Sequence, residues 1–160
     1  HLSIRRQRQM CIRDRPILSY AKNRGVRLAL YNCRGNGEKA NFAHGPEAWN
    51  PVFKALPDLG IKYDPSHPYY EGKDYLREMR DYGDHIYHVH AKGALTIGGR
   101  RFEDPPAGMD DINWGKVMAI LYHHGYRGDI SIEPHSPTWK GEMRYKCILL
   151  AQNHLKPFII

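Results

Sequence analysis

The chain has 160 residues, of which 41% are hydrophobic, and this suits one domain with a packed core. Because no apolar run approaches the roughly 20 residues that span a bilayer, the sequence predicts no membrane-spanning helix. The net charge of +7 is concentrated near the start: residues 1–15 hold +4 and the rest only +3, too little to indicate a nucleic-acid-binding surface.

The arginine-rich segment 1–15 follows no helix or strand period over any useful length. We interpret it as a leader foreign to the natural protein and expect it to be disordered, with a native basic arm as the alternative. The chain has three cysteines, which are widely spaced and form no CxxC pair. We therefore expect no disulfide framework and a cytoplasmic location.

From Pro16 onward the pattern alternates between helices and strands. Apolar periodicity, with Gly and Pro as boundaries, predicts helices at 16–24, 46–56, 71–82, 113–124 and 141–157. The same signals predict strands in the segments RLALYN (27–32), IKYDPSH (61–67), HIYHVHAK (85–92) and DISIEPH (129–135). Loops are expected at 33–45 and 93–110, and Asp111 is expected to cap the helix at 113–124.

Four βα units in sequence predict an α/β fold with parallel strands and right-handed crossovers. The two architectures of this kind are an open doubly wound sheet and a (β/α)₈ barrel. No glycine-rich phosphate turn follows the first strand, which weighs against a dinucleotide-binding sheet. A whole barrel needs roughly 250 residues. We therefore interpret residues 16–160 as the C-terminal half of a TIM barrel.

Each predicted strand ends in a polar side chain on the face opposite its aliphatic residues. These side chains are Tyr31, Asp64, His90 and Glu133. Parallel strands of a barrel bring their carboxyl ends to one mouth, which is where TIM-barrel enzymes place their catalytic groups. Asp, His and Glu together are typical ligands of a divalent metal ion.

Four motifs resemble the xylose-isomerase-like TIM-barrel superfamily, which includes sugar-phosphate isomerases and epimerases: DPSH (64–67), HVHAK (88–92), DINWG (111–115) and GDISIEPH (128–135). The resemblance implies a metal-dependent isomerase or epimerase of sugars or sugar phosphates. Such an enzyme abstracts a proton next to a carbonyl and acts through an enediolate. It also implies one divalent ion, Mn²⁺, Mg²⁺ or Co²⁺, held by Glu, Asp, His and Glu from the last four strands.

The last three of these ligands carry over to Asp64, His90 and Glu133, but Tyr31 stands where the family has its first glutamate. A phenol titrates near ~10 and is a poor ligand for hard ions. The site is therefore expected to hold metal through three protein ligands and waters, to hold it weakly, or to hold none. Glu133 remains as the base, and Tyr31 could act as an acid in place of the missing carboxylate.

The resemblance also implies roles around the metal. His67 matches a position that contacts substrate in the family, with an exposed loop histidine as the alternative. His135, just beyond Glu133, and Asn32, just after Tyr31, are also expected to contact substrate because of their positions. Lys92 is expected to be catalytic, stabilising an enolate or binding phosphate, with a solvated loop lysine as the alternative.

The expected partner is a small sugar or polyol, with no nucleic acid and no membrane. An endonuclease-like phosphodiesterase is disfavoured by the weak charge. Two alternatives stay open: a polyol or inosose dehydratase-like lyase, and a non-catalytic sugar-binding barrel with a degraded metal site. Because a half-barrel exposes strand edges, we also expect homo-oligomers or association through those edges.

Overall fold

The computed structural model of the protein describes residues 15–35, 41 and 43–160. The leader assigned to residues 1–15 lies outside this range except for Arg15, which lies in a helix. The chain divides into two compact units, residues 1–62 and 63–160. Among the described residues, no helix combines the length and the apolar character needed to cross a membrane.

The first unit contains two helices and two strands: α1 (15–22), β1 (Ala29–Tyr31), α2 (Pro46–Ala55) and β2 (Gly60–Tyr63), whose last residue belongs to the second unit. β1 and β2 pair in parallel, with Tyr31 opposite Lys62. Helix α2 begins with proline in its first turn, where a missing N–H costs nothing. It buries Trp49 and Val52, and the Trp49 indole N–H donates to the Ala43 carbonyl at 2.7 Å.

The second unit continues with α3 (Ser66–Tyr70), α4 (Tyr75–Tyr82), β3 (Ile86–Ala91), β4 (Leu95–Ile97), β5 (Arg100–Glu103), α5 (Trp114–His123), β6 (Ile130–Ile132) and α6 (Glu142–Leu155). Short 3₁₀ turns lie at Gly83–His85, Pro137–Trp139 and Lys156–Phe158. β3 and β6 pair in parallel, with α5 in the connection between them, whereas β4 and β5 form an antiparallel hairpin.

The core of the second unit follows from the strand and helix periods. Val89 of β3 is completely buried, as are Met79 of α4 and Val117 of α5. The histidines that alternate with Val89 lie on the opposite face of β3. The predicted α/β class with parallel strands is confirmed, since both strand pairs with helical connections are parallel.

The expected loop at 93–110 is wrong in part, because it contains the β4–β5 hairpin. Gly98 and Gly99 form its turn, with φ of 59° and 74°, the left-handed region that tight hairpin turns require. The strands have only three and four residues, and β5 begins with two arginines, so the hairpin is too short and too polar to show a clear strand period in the sequence.

Three further boundaries differ from the sequence prediction. Asn113, not Asp111, caps α5 by accepting the Lys116 N–H at 2.9 Å. The Asp111 carboxylate instead accepts from the Thr96 N–H at 2.8 Å. The strand expected at 61–67 ends at Tyr63, and α3, which the sequence prediction lacks, begins at Ser66. The helix expected at 71–82 is α4, which begins only at Tyr75. Where a strand ends depends on how far its neighbour pairs with it, which a local pattern does not reveal.

Candidate metal centre

Asp64 directly follows β2, and its side chain is fully buried. One oxygen, Oδ1, accepts the Ser66 N–H at 2.9 Å, which shapes the turn into α3. The other, Oδ2, lies 3.2 Å from the Lys92 ammonium and 3.4 Å from His67 Nε2. A buried carboxylate is costly unless it is paired, and both partners come from segments that follow strands.

His90 and Glu133 meet across the parallel pair of β3 and β6. His90 stands opposite Ser131 in the register, and the Glu133 N–H donates to the Ala91 carbonyl at 3.1 Å. This places His90 Nδ1 at 3.1 Å from Glu133 Oε2. The hydrogen bond to His90 lowers the pKa of Glu133 to about 2, and the charges of His90 and Lys92 act in the same direction. Glu133 is therefore an anion throughout the neutral range.

Asp64, His90 and Glu133 each offer one ligand atom, and these atoms all lie within 4.8 Å of one another. Two carboxylates and one imidazole make a donor set that suits Mn²⁺, Co²⁺ and related ions. The three side chains are 0%, 12% and 33% exposed, so the group opens to solvent on the Glu133 side. The residues present therefore fit a divalent cation, as the strand-end pattern predicts.

Lys92 and His67 surround the same carboxylate. Lys92 is only 3% exposed, which differs from the solvated lysine considered as its alternative. Burial lowers the pKa of His67, and the nearby Asp64 charge opposes this only in part, while the Lys92 charge adds to the lowering. His67 is thus a neutral imidazole at neutral pH with 19% of its side chain exposed.

His135 lies two residues beyond Glu133 with 52% of its side chain exposed, and its Nδ1 is 3.1 Å from Asp104 Oδ2. The sequence favours a solvated loop position for Asp104, with a lid over the site as the alternative, but its side chain is buried at 3% exposure. His88, on the same face of β3 as His90, has Nε2 at 2.9 Å from the Ser131 hydroxyl oxygen. Substrate contact by His135 remains a prediction.

Tyr31 and Asn32 belong to the first unit. The Lys62 ammonium lies 3.9 Å from the centre of the Tyr31 ring, and the Tyr31 carbonyl accepts from the Asn41 amide at 2.5 Å. Asn32 is fully buried, and its N–H donates to the Lys62 carbonyl at 3.3 Å. The catalytic role of Tyr31 and the substrate contact of Asn32 remain predictions.

The family model described as "Xylose isomerase-like TIM barrel" matches residues 7–150. The chain belongs to this family. The resemblance seen in the four motifs is therefore confirmed, and with it the (β/α) barrel as the architecture. No curated protein matches the chain.

Solved structures agree on this fold. A xylose isomerase domain protein from Alicyclobacillus acidocaldarius matches with a TM-score of 0.74 and 19% identity, over 98% of this chain and 58% of that one. Mannonate dehydratase from Streptococcus suis serotype 2 matches with a TM-score of 0.70 and 16% identity, over 93% and 48%. A 3-keto-D-glucoside 4-epimerase from E. coli matches with a TM-score of 0.68 and 16% identity, over 94% and 53%. The chain thus spans about half the length of these structures and represents part of a barrel.

Proposed function

We propose that this chain contributes the metal-binding half of a divalent-metal-dependent isomerase or epimerase of sugars or sugar phosphates. The observation that carries the proposal is the convergence of Asp64, His90 and Glu133 ligand atoms within 4.8 Å. Two of these residues follow parallel strands directly, and the third lies near the end of one. The E. coli 3-keto-D-glucoside 4-epimerase of similar fold adds support for sugar chemistry.

The three residues would hold one ion, Mn²⁺, Mg²⁺ or Co²⁺. When bound, such an ion polarises a carbonyl and stabilises negative charge on the neighbouring oxygens. Glu133 is the group that removes the proton next to the carbonyl. Its hydrogen bond with His90 makes it a weak base, so proton abstraction requires that this bond is given up.

Lys92 and His67 also contact the Asp64 carboxylate. The buried Lys92 ammonium can stabilise charge that develops on a substrate oxygen, because burial strengthens its electrostatic effect. The neutral, partly exposed His67 imidazole can donate or accept a hydrogen bond with a sugar hydroxyl.

A polyol dehydratase is the second candidate. The donor group of the second unit offers one carboxylate, Glu133, besides the fully buried Asp64. A single base is sufficient for a dehydration or a one-base isomerisation, whereas an epimerase that works on both faces of its substrate needs two. The mannonate dehydratase of similar fold favours this candidate as well.

Metal binding is tested by titrating Co²⁺ and Mn²⁺ into the chain by calorimetry, after removal of any histidine tag. We expect one ion per chain, with binding lost in Asp64→Asn and His90→Ala. His123→Ala is the matched control, because His123 lies on α5 with its ring 5.2 Å from that of His124 and is a candidate for adventitious binding. Binding that survives in Asp64→Asn and disappears in His123→Ala would refute the proposed site.

The reaction is tested by incubating the Mn²⁺-loaded protein in D₂O with ketoses and aldoses, free and phosphorylated, and following them by NMR. An isomerase or epimerase exchanges the proton next to the carbonyl for deuterium. A dehydratase instead yields a product that has lost water. If the protein binds the ion but shows neither deuterium exchange nor loss of water, the result would support the non-catalytic binding barrel.

A further inference from the structure

A second carboxylate, outside the candidate metal ligands, connects segments from three different parts of the second unit. Asp104 is 3% exposed and follows the β4–β5 hairpin. The Tyr70 hydroxyl donates to its Oδ1 at 2.7 Å, and His135 Nδ1 lies 3.1 Å from its Oδ2. The Arg101 guanidinium forms an ion pair with the same Oδ2. We refer to Asp104, Tyr70, Arg101 and His135 as the Asp104 cluster.

The segments that the Asp104 cluster joins each come after a strand that carries a candidate metal ligand within it or at its end. Tyr70 lies in α3, the helix that begins two residues after Asp64. Asp104 comes directly after the hairpin that follows β3, the strand of His90. His135 lies two residues after Glu133. The three ligands come from three strands, and the Asp104 cluster joins the three segments that continue from them.

Further contacts keep the cluster in place. The Leu95 N–H donates to the Tyr70 oxygen at 3.2 Å, and the Arg101 guanidinium lies 4.6 Å from the centre of the Tyr70 ring. The Thr138 hydroxyl donates to Glu103 Oε2 at 2.5 Å, which adds a second link between the hairpin and the segment after β6. Although burial opposes ionisation, the Tyr70 hydrogen bond and the Arg101 charge hold the pKa of Asp104 below its usual value.

We propose that Asp104 is a positioning residue for the metal centre, which holds the three ligand-bearing segments at fixed separation through Tyr70, Arg101 and His135. The inference rests on the proposed function, because it assigns Asp104 a task at that metal site. Ligands held within a small tolerance bind an ion more tightly, since less conformational freedom is lost on binding.

The test is Co²⁺ binding to Asp104→Asn, measured by calorimetry and by visible absorption of the bound ion. We expect about 10-fold weaker binding, the lower end of the range for residues that orient metal ligands, and a changed absorption spectrum. The matched control is Asp84→Asn. Asp84 is also paired with a histidine, His124, at 2.7 Å, and this pair includes neither a candidate ligand nor a member of the Asp104 cluster. This control should bind Co²⁺ as the unaltered chain does.

Tyr70→Phe keeps the test decisive if Asp104→Asn fails to fold. It removes one oxygen and leaves the ring beneath Arg101, and we expect about 3-fold to 10-fold weaker Co²⁺ binding. Where both single variants fold, the double variant should bind no more weakly than Asp104→Asn, because the Tyr70 hydroxyl acts through Asp104.

The outcomes separate the two proposals. A folded Asp104→Asn, or Tyr70→Phe in its place, with unchanged Co²⁺ affinity and spectrum overturns the positioning role, whereas unchanged binding in Asp64→Asn overturns the metal site itself. If the unaltered chain binds no Co²⁺, the metal site falls and the cluster is judged by NMR of the His90 imidazole. Unshifted His90 resonances in Asp104→Asn would then overturn the positioning role entirely, and shifted ones would support only its part in orienting His90.

Discussion

Lys92→Met isolates the energetic role of the ammonium beside Asp64. The two charged atoms lie 3.2 Å apart, and the side chains are 3% and 0% exposed. Removing one partner of a buried ion pair costs about 3–5 kcal/mol, because the other charge stays in the protein interior. Since Asp64 keeps the Ser66 N–H and His67, we expect the lower end, about 3 kcal/mol less free energy of unfolding.

The measurement is urea unfolding without metal, followed by circular dichroism. The control is Lys22→Met, whose ammonium lies 2.9 Å from Asp58 but whose side chain is 67% exposed. Exposed pairs contribute about 0–1 kcal/mol, so this control should change little. If Lys92→Met were as mild as Lys22→Met, the buried carboxylate would not depend on the ammonium, and the reasoning would fail.

Addition of Mn²⁺ extends the same experiment. At a free concentration of 100 times its Kd, a ligand adds about 2.7 kcal/mol to the free energy of unfolding. A divalent ion beside Asp64 supplies the positive charge that Lys92→Met removes. We therefore expect Mn²⁺ to stabilise this variant at least as much as the unaltered chain, and smaller stabilisation would contradict a shared role of Lys92 and the ion.

The remaining predictions concern pH and backbone geometry. Because His90 depresses the pKa of Glu133, the stability this pair provides should be fully present above the usual value of 4.5 and lost as pH falls towards about 2. Urea unfolding between pH 2 and 6 should show this loss, and Glu133→Gln should flatten it. Asn113→Ala should lower the free energy of unfolding by about 1 kcal/mol through loss of the α5 cap, while Asp111→Ala should leave the helicity of α5 intact. Gly93→Ala should lower the thermal midpoint of unfolding, since a Cβ there would meet the Pro105 backbone carbonyl oxygen at 2.1 Å. Gly98→Ala is the comparison, because a Cβ at Gly98 meets nothing within 4 Å but its φ of 59° strains an alanine. A lower midpoint for Gly93→Ala than for Gly98→Ala would show that the contact costs more than the backbone strain.

Local sequence patterns determined the main helices and strands and the candidate ligands of this protein, but not the β4–β5 hairpin or α3. The alternation in β3 sets Val89 in the core and His90 on the opposite face, because successive side chains of a strand point to opposite sides. Asp64 and Glu133 each follow a short apolar strand and precede proline, which marks a strand end without any knowledge of the neighbours. Parallel strands with helical connections then require these ends to lie at the same edge.

Tertiary structure alone decided which of these side chains meet. His90 and Glu133 are 43 residues apart and touch because of the register of β3 with β6. Asp104 joins Tyr70 from 34 residues away and His135 from 31 residues away, through a hairpin too short and too polar to show a period. A buried polar group takes its partners from whichever segments packing brings beside it. The periodicity that reveals strands and helices is local to the chain, so it contains no information about those contacts.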